Sequence, residues 1–373
     1  MKEKRIYIGV TNDLVTDQRA DRTATFLQGK GYKVTLVGRY IPGYSQPVSR
    51  GYDTKRFSLL FKRGFLFYAS FNLRLFFYLL NKNISLVVAN DLDTLPACYL
   101  VSRVKRIPVL YDSHEYFTEV PELAGRKFVR SIWLLLERIV LPHIRYSMTV
   151  NESLASVYQE KYGLEMEVVR NLPRYIEEPQ GGSPADASAP VRPVILYQGA
   201  LNKGRGLEKM ILAMGYLDGY ELQLLGDGDI THTLVKLVQS NNLEDRVRFP
   251  GRKPFNELAP VTAAAALGIS LEEQAGLNYY YALPNKLFNY IQARIPVLVS
   301  AFPEMINIVD RYRVGMYLDN PDPETIASAV KKMIGDETLR NGWYENLDKA
   351  ASELCWEKEE YKLGKIINKV QPL

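Results

Sequence analysis

Three short segments combine residue types that do chemistry with spacings that expose them. The first is VLYDSHEYF, residues 109–117. Polar residues follow abruptly on an apolar strand, which sets Asp112, His114 and Glu115 at its carboxyl end. A neutral imidazole, with an ordinary pKa of about 6.5, can donate to a sugar hydroxyl or a phosphate, or accept a proton. The same histidine would serve equally well to close the loop, but acids on both sides weigh toward function. ANDLDTLP, residues 89–96, ends the preceding strand and offers Asn90, Asp91 and Asp93. Of these, Asp93 is expected to cap the helix that follows.

The second segment is LYQGALNKGRGLE, residues 196–208. Gly199, Gly204 and Gly206 lie between a strand and a helix and let the backbone approach an anion, while Lys203 and Arg205 supply countercharge. Losing such an arginine contact would cost roughly 1.5–3 kcal/mol of binding. The spacing is neither the dinucleotide fingerprint nor the P-loop. LLGDGD, residues 224–229, is a similar strand-ending turn around Gly226. The third segment, residues 270–300, holds two acids, Glu272 and Glu273, that can accept from sugar hydroxyls. Pro284, Asn285 and Lys286 then open a helix whose first amides carry partial positive charge, a seat for phosphate. Asn285 there reads as an N-cap, a phosphate contact, or both.

These segments must be positioned by elements that alternate along the chain. Apolar strand-like runs at 6–10, 34–37, 86–89, 109–111, 148–150 and 167–169 are separated by helical stretches, the first from Asp21 to Lys30 before Gly31. Five more runs follow, at 194–197, 222–225, 247–249, 267–271 and 297–299. Such alternation predicts parallel sheets covered by helices. The stretch EEPQGGSPADASAPVRP, from Glu177 to Pro193, lacks hydrophobic periodicity and reads as a surface loop or linker. The α/β chain therefore divides into an N-terminal Rossmann-like domain (1–175), a linker (176–193), a C-terminal one (194–355) and a final helix (356–373). In doubly wound sheets ligands sit beyond the strands' carboxyl ends, where all three segments fall.

Composition removes several classes. The 373 residues are 47% hydrophobic and 24% charged, which excludes wholesale disorder. The two cysteines and three histidines lack metal-site spacing, and a reduced, cytoplasmic protein is expected. MKEKRIYIGV reads as a first strand rather than a signal peptide. Residues 1–175 carry 26 Lys+Arg against 16 Asp+Glu, whereas the remainder carries 21 against 26. A basic first half suits an acidic partner, but no nucleic-acid-binding motif appears, so nucleic acid is not expected. The aromatic run from Arg56 to Lys82 is interrupted by Asn72 and Arg74 and does not span a membrane. It reads as a buried helix of the first domain, or as a helix lying on a membrane surface with Lys62, Arg63 and Arg74 near headgroups.

Taken in order, NDLVTDQR (12–19), ANDLDTLP, YDSHEYFTEVPEL (111–123), YQGALNKGRGLE, LLGDGD and LPNKLFNYIQARIPVLVS (283–300) resemble the retaining GT-B glycosyltransferases of family 4. The resemblance spans nearly the whole chain. It implies two Rossmann-like, doubly wound domains facing a cleft, and a last helix, from about Trp356, crossing back to the first domain. It implies a nucleotide-diphosphate sugar as donor, UDP- or GDP-linked, bound mainly by the C-terminal domain. Arg205 matches the family's basic residue at the donor diphosphate, Glu273 or Glu272 the acid at the donor sugar, and His114 the histidine near the reacting centre, with Asp112 beside it. The loop Thr16–Arg19, with Asp17, Gln18 and Arg19, faces the acceptor side together with Asn90 and Asp91. Gly199, Lys203, Gly226, Asn285, Lys286 and Asn289 complete the expected donor site. Two departures stand out: Ala200 replaces an arginine, for which Lys203 can substitute, and Asn289 replaces an acid at the ribose.

The expected function is transfer of a sugar, with retention, to a glycan or lipid-linked acceptor in cell-surface polysaccharide or lipopolysaccharide synthesis. No metal or other cofactor is expected, because Asp91 and Asp93 fall in the domain away from the donor. Location at the inner face of the plasma membrane, on anionic lipid, is the corresponding expectation. A non-catalytic nucleotide-sugar- or glycan-binding scaffold and a sugar-nucleotide epimerase are the alternatives.

Overall fold

The computed structural model describes residues 4–15, 17–41, 50–120, 123, 125–179 and 192–371. Most of the linker, 180–191, and Thr16 of the acceptor-side loop lie outside the described residues. Contacts divide the chain into two compact units, Met1–Asn171 with Glu359–Leu373, and Leu172–Lys358.

The first unit begins β1 (Arg5–Gly9), α1 (Gln18–Gly29), β2 (Lys33–Arg39), β3 (Asp53–Phe57), α2 (Gly64–Leu80) and β4 (Leu86–Asn90). It continues α3 (Leu95–Lys105), β5 (Val109–Ser113), α4 (Lys127–Val140), β6 (Tyr146–Thr149), α5 (Glu152–Tyr162) and β7 (Glu167–Val168). The second unit begins β8 (Val194–Gln198), α6 (Leu207–Ala213), β9 (Glu221–Leu225), α7 (Thr231–Ser240), β10 (Val247–Arg248), α8 (Phe255–Ala263) and β11 (Leu267–Ser270). Then come α9 (Leu277–Tyr280), α10 (Asn285–Gln292), β12 (Val297–Ser300), α11 (Pro303–Tyr312), β13 (Gly315–Leu318), α12 (Pro323–Gly335) and α13 (Glu337–Glu353). Helix α14 (Trp356–Val370) starts in the second unit, and its residues from Glu359 onward belong to the first. Glu359 accepts from the Arg170 amide at 2.9 Å, and Gln371 just beyond the helix donates to the Ser85 carbonyl at 2.5 Å.

Both sheets are parallel, in the orders β3-β2-β1-β4-β5-β6-β7 and β10-β9-β8-β11-β12-β13. The winding reverses between β1 and β4 in one unit and between β8 and β11 in the other. Loops leaving those strands diverge to opposite faces and leave room for a ligand. The two-domain Rossmann-like expectation therefore holds. Central strands are buried on both sides, as β4 and β5 show with every residue buried, so they read as apolar runs. The two strands absent from the sequence reading, β3 and β13, are edges. Asp53–Phe57 has one buried residue and Gly315–Leu318 none, so neither needed an apolar pattern.

Helix α1 starts at Gln18, three residues before the expected Asp21. The reason is local: the Asp17 carboxylate accepts from the Ala20 amide at 3.0 Å and caps the first turn. The aromatic run divides its two readings by face. On α2, Phe67, Phe71, Leu75 and Leu79 are buried against the sheet, whereas Phe65, Leu66, Leu73 and Phe77 point outward. Burying Phe71 entirely makes it the helix's main anchor. Phe71→Ala is expected to cost roughly 3–5 kcal/mol in urea unfolding, and Phe77→Ala on the opposite side less than about 0.5 kcal/mol. Equal losses would show that α2 is not seated by this face.

Candidate functional site

In the first unit the carboxyl ends of β4 and β5 carry a compact charged cluster. Asp112 is paired in register with Asn90 and is completely buried. Its carboxylate takes the Arg19 guanidinium by a fork, with Nη2 at 2.6 Å and Nε at 3.0 Å. Arg19 also donates to the Val169 carbonyl at 2.8 Å. The guanidinium that α1 contributes is therefore committed to holding β5 and the end of β7.

His114 lies between two acids. Its Nδ1 is 3.3 Å from Asp91 Oδ2 and its backbone amide donates to Asp91 Oδ1 at 2.7 Å. Its Nε2 is 3.1 Å from Asp112 Oδ2, an ionic contact off the line of a hydrogen bond. Burial disfavours the imidazolium, but Asp91 and Asp112 outweigh it and push the pKa up to about 9. The imidazole, read from the sequence as a donor or a proton acceptor with an ordinary pKa, is held here with both nitrogens facing carboxylates that favour its cation. Asp91 reaches this position through a backbone φ of 58°, in the left-handed region, which costs on the order of 1 kcal/mol and is repaid by its contacts to His114.

The remaining acids follow from desolvation. Asp112 is held well below the usual carboxylate range: Arg19, ahead of His114, overcomes its burial. Asp93 moves the other way, up to about 8, because of burial and then the neighbouring Asp91. It stays protonated at neutral pH, and the pKa of Asp91 is raised as well, by burial against the pull of His114. Asp93 does not cap α3, as had been expected. Its carboxyl accepts from the Thr11 hydroxyl, and Asn72 of α2 does the capping, accepting from the Ala97 amide at 3.1 Å and donating to the Asp93 carbonyl at 2.7 Å. Asn90 is 4% exposed, and both its amide atoms lack a partner among the described residues. Gln18 is exposed and Asp17 is spent on the α1 cap.

In the second unit Glu272, just past β11, is buried and gathers two cations. Lys286 Nζ is 2.5 Å away and Arg205 Nη1 3.5 Å, while Ser270 donates to the other carboxylate oxygen at 2.8 Å. Ser300, ending β12, donates to the Glu272 carbonyl at 2.6 Å. Burial opposes ionisation of Glu272, but Lys286 and then Arg205 keep its pKa below normal. Both cations also sit over rings, Lys286 over Tyr197 at 4.3 Å and Arg205 over Tyr279 at 4.8 Å. With its oxygens so engaged, Glu272 organises the cations, and Glu273 is the acid whose carboxylate has no partner among the described residues. Lys203 is exposed, and Asn289 is half-buried with no side-chain partner there.

Packing within the protein requires two of the glycines read as anion-approach positions, Gly204 and Gly206, and also the turn glycine Gly226. A Cβ on Gly206, at φ 68°, would fall 2.0 Å from the Leu271 carbonyl oxygen, and one on Gly204 2.8 Å from the Tyr279 ring. A Cβ on Gly226 would fall 1.9 Å from the Gly199 carbonyl oxygen. Asn285 is the first residue of α10 and not its N-cap. Pro284 holds that place without a side-chain cap, so the first amides of α10 keep their partial charge. Tyr197 and Tyr279 were missed by the sequence reading. Tyr197 could have been found, since the strand period of two puts it on the same face as Gly199.

Two family matches cover these elements: residues 18–176 match Glycosyltransferase Family 4, and residues 185–350 match Glycosyl transferases group 1. The chain belongs to the family 4 glycosyltransferases. A lipopolysaccharide core biosynthesis glycosyltransferase, LpsE of Rhizobium meliloti (strain 1021), is 27% identical over 158 residues, 42% of this chain and 43% of that protein. Three solved structures share the GT-B fold. Sucrose-phosphate synthase of Thermosynechococcus elongatus has a TM-score of 0.80 at 18% identity, covering 98% of this chain and 99% of that one. Anabaena HepE in complex with UDP and glucose gives 0.75 at 15%, covering both chains fully at 100%. WaaG, a glycosyltransferase involved in lipopolysaccharide biosynthesis, gives 0.74 at 14%, covering 99% and 100%. Among the described residues of this family 4 chain, no group of three or more His, Cys, Asp or Glu is arranged to hold a metal ion.

Two outcomes follow from the charges. A raised His114 pKa means the folded state binds a proton that the unfolded state releases above pH 6.5, so its stabilisation is complete below about 6.5 and lost through about 9. Asp93, raised to about 8, adds a loss in the same direction. Urea unfolding of the wild type should show stability falling from pH 6.5 to 9, with a shallower fall in His114→Gln; a flat wild-type profile would rule out the held imidazolium. Separately, Glu272→Ala leaves Lys286 buried without its carboxylate and is expected to cost roughly 3–5 kcal/mol. Glu273→Ala should change stability by less than about 0.5 kcal/mol, and comparable losses in both variants would contradict the division of roles between them.

Proposed function

We propose that this glycosyltransferase moves a sugar, with retention and without a metal, from a UDP- or GDP-linked donor to a glycan or lipid-linked acceptor. The acceptor belongs to cell-surface polysaccharide or lipopolysaccharide. The observation that carries this reading is the pair Arg205 and Lys286, set on one carboxylate beside Gly199 and Tyr197. Two cations aligned by a buried acid are preorganised for a diphosphate, whose leaving charge they would stabilise in the transition state. The uncapped amides of α10, with Lys286 in its first turn, add partial positive charge. The unpartnered Glu273 is then available for sugar hydroxyls, and Lys203 for the outer phosphate.

In the first unit His114 contributes a fixed charge rather than a proton transfer, with Asp112 holding it. Asp91 and Asn90 stand next to it at the strand ends. The donor assignment is supported by the fold shared with HepE, which was solved with UDP and glucose. The acceptor assignment is supported by the partial match to LpsE. Ala200 and the uncharged, unpartnered Asn289 favour a binding scaffold as the second reading.

A thermal-shift panel of UDP, GDP, ADP, dTDP and CMP separates them. One diphosphate at a hundredfold its Kd should add about 2.7 kcal/mol, and Arg205→Ala should weaken that binding by roughly 1.5–3 kcal/mol. Release of free nucleotide in the presence of an acceptor then supports transfer. Binding without release leaves the scaffold, and no shift with any nucleotide overturns the donor site.

A further inference from the structure

In the first unit, the sheet face beneath α2 changes character along its strands. Register partners in a parallel pair point to the same side. Arg5 of β1 therefore lies beside Lys33 of β2, Tyr7 beside Thr35, and Thr35 beside Asp53 of β3. Toward the carboxyl ends this face is apolar, with Val37 and Phe57 buried against Phe71 and Leu75 of α2. Toward the amino ends it turns polar, and there the end of α2 leaves a cavity of about 330 Å³. Arg5, Lys33 and Lys55 line it from the sheet, and Lys82, just past α2, lines it from the helix side. Asp53 is the one acid among the described lining residues.

Four cations thus share a cavity with one carboxylate. Arg5 and Lys33 are direct register partners, and like charges set side by side repel. A cleft lined mainly by one sign of charge focuses the field and concentrates counter-ions. Its floor is dry: Tyr7 is 6% exposed and meets the Tyr78 ring edge-on at 6.2 Å. The Lys82 ammonium lies 4.8 Å from the centre of that Tyr78 ring. Burial, then Tyr7 and Asp53, raise the Tyr78 pKa, so its hydroxyl keeps its proton and can donate. Buried Thr35 adds a second hydroxyl. The cavity is distinct from the cluster around Asp112 and His114, which lies at the carboxyl ends. Lys33 to Arg39 alone spans roughly 20 Å of β2.

We propose that this cavity binds a soluble anion carrying two phosphoryl groups, at a second site separate from the donor site. Two phosphoryl groups let one ligand meet cations of the sheet and Lys82 across the cavity, with the Tyr78 and Thr35 hydroxyls donating between them. The test is equilibrium dialysis of the full chain with radiolabelled pyrophosphate at low ionic strength. It is run in the Arg205→Ala background, because the proposed donor site takes the same chemistry. Binding is read without turnover.

The Arg205→Ala chain should still bind pyrophosphate saturably, and less tightly as salt rises. Adding Lys33→Ala with Lys55→Ala, both at exposed positions, should weaken binding by about tenfold or more while circular dichroism and Tm stay unchanged. Adding Asp53→Asn instead removes the opposing charge and should tighten binding on the order of twofold to fivefold. No saturable binding in the Arg205→Ala chain, or one affinity across all three chains, overturns the proposal. Failure of the donor reading looks different: wild type and Arg205→Ala would bind alike, and only the cavity variants would change affinity.

Discussion

A carboxylate at the end of a buried parallel strand has few stable options: it must gather cations and donors, or keep its proton. Both units are organised around that constraint. In the first, Asp112 ends a strand buried on both faces and draws Arg19 and His114 to itself; in the second, Glu272 draws Lys286 and Arg205. Arg19, Lys286 and Arg205 arrive from other elements, so each acid ties together segments far apart in the chain, while His114 comes from the same strand end as Asp112. Arg19 fastens α1 to β5 and the end of β7, and Lys286 fastens α10 to β11.

The two clusters differ in what they leave available. Around Asp112 both cations, Arg19 and His114, are engaged by carboxylates. This arrangement commits its cations to the frame of the unit. Around Glu272 two cations share one carboxylate beside the glycine-bearing turns. Two cations held in this way suit an anion, which is what the proposed donor site requires. The glycines serve this by allowing the turns to close on one another. Gly199 and Gly226 let the ends of β8 and β9 touch, and Gly206 seats its loop on the Leu271 carbonyl.

The aromatic-rich layer of the first unit follows from a different balance. A doubly wound sheet needs only the inward half of each covering helix to be apolar. Helices α2 and α4 exceed that requirement, and their outward apolar residues contribute nothing to the core they cover. Exposed basic residues beside them give this face positive charge.

Much of the architecture was legible in the residues. Central strands such as Leu86–Asn90 and Val109–Ser113 declare themselves because burial on both faces demands continuous apolar side chains. The polar eruptions after them mark the strand ends, where Asp112, His114 and Glu272 were named, whereas Arg205 was named from its glycine loop and Lys286 from the start of its helix. Edge strands β3 and β13 were invisible, because an edge can be polar and still pair. What only the tertiary structure decided was the state of those residues: which nitrogen faces which acid, that Arg19 is spent on Asp112, that Asp93 keeps a proton and that Asn72 caps α3. The physical reason is that composition and period set which side chains are buried, whereas charge and hydrogen bonding depend on neighbours separated by tens of residues, such as the 93 between Arg19 and Asp112.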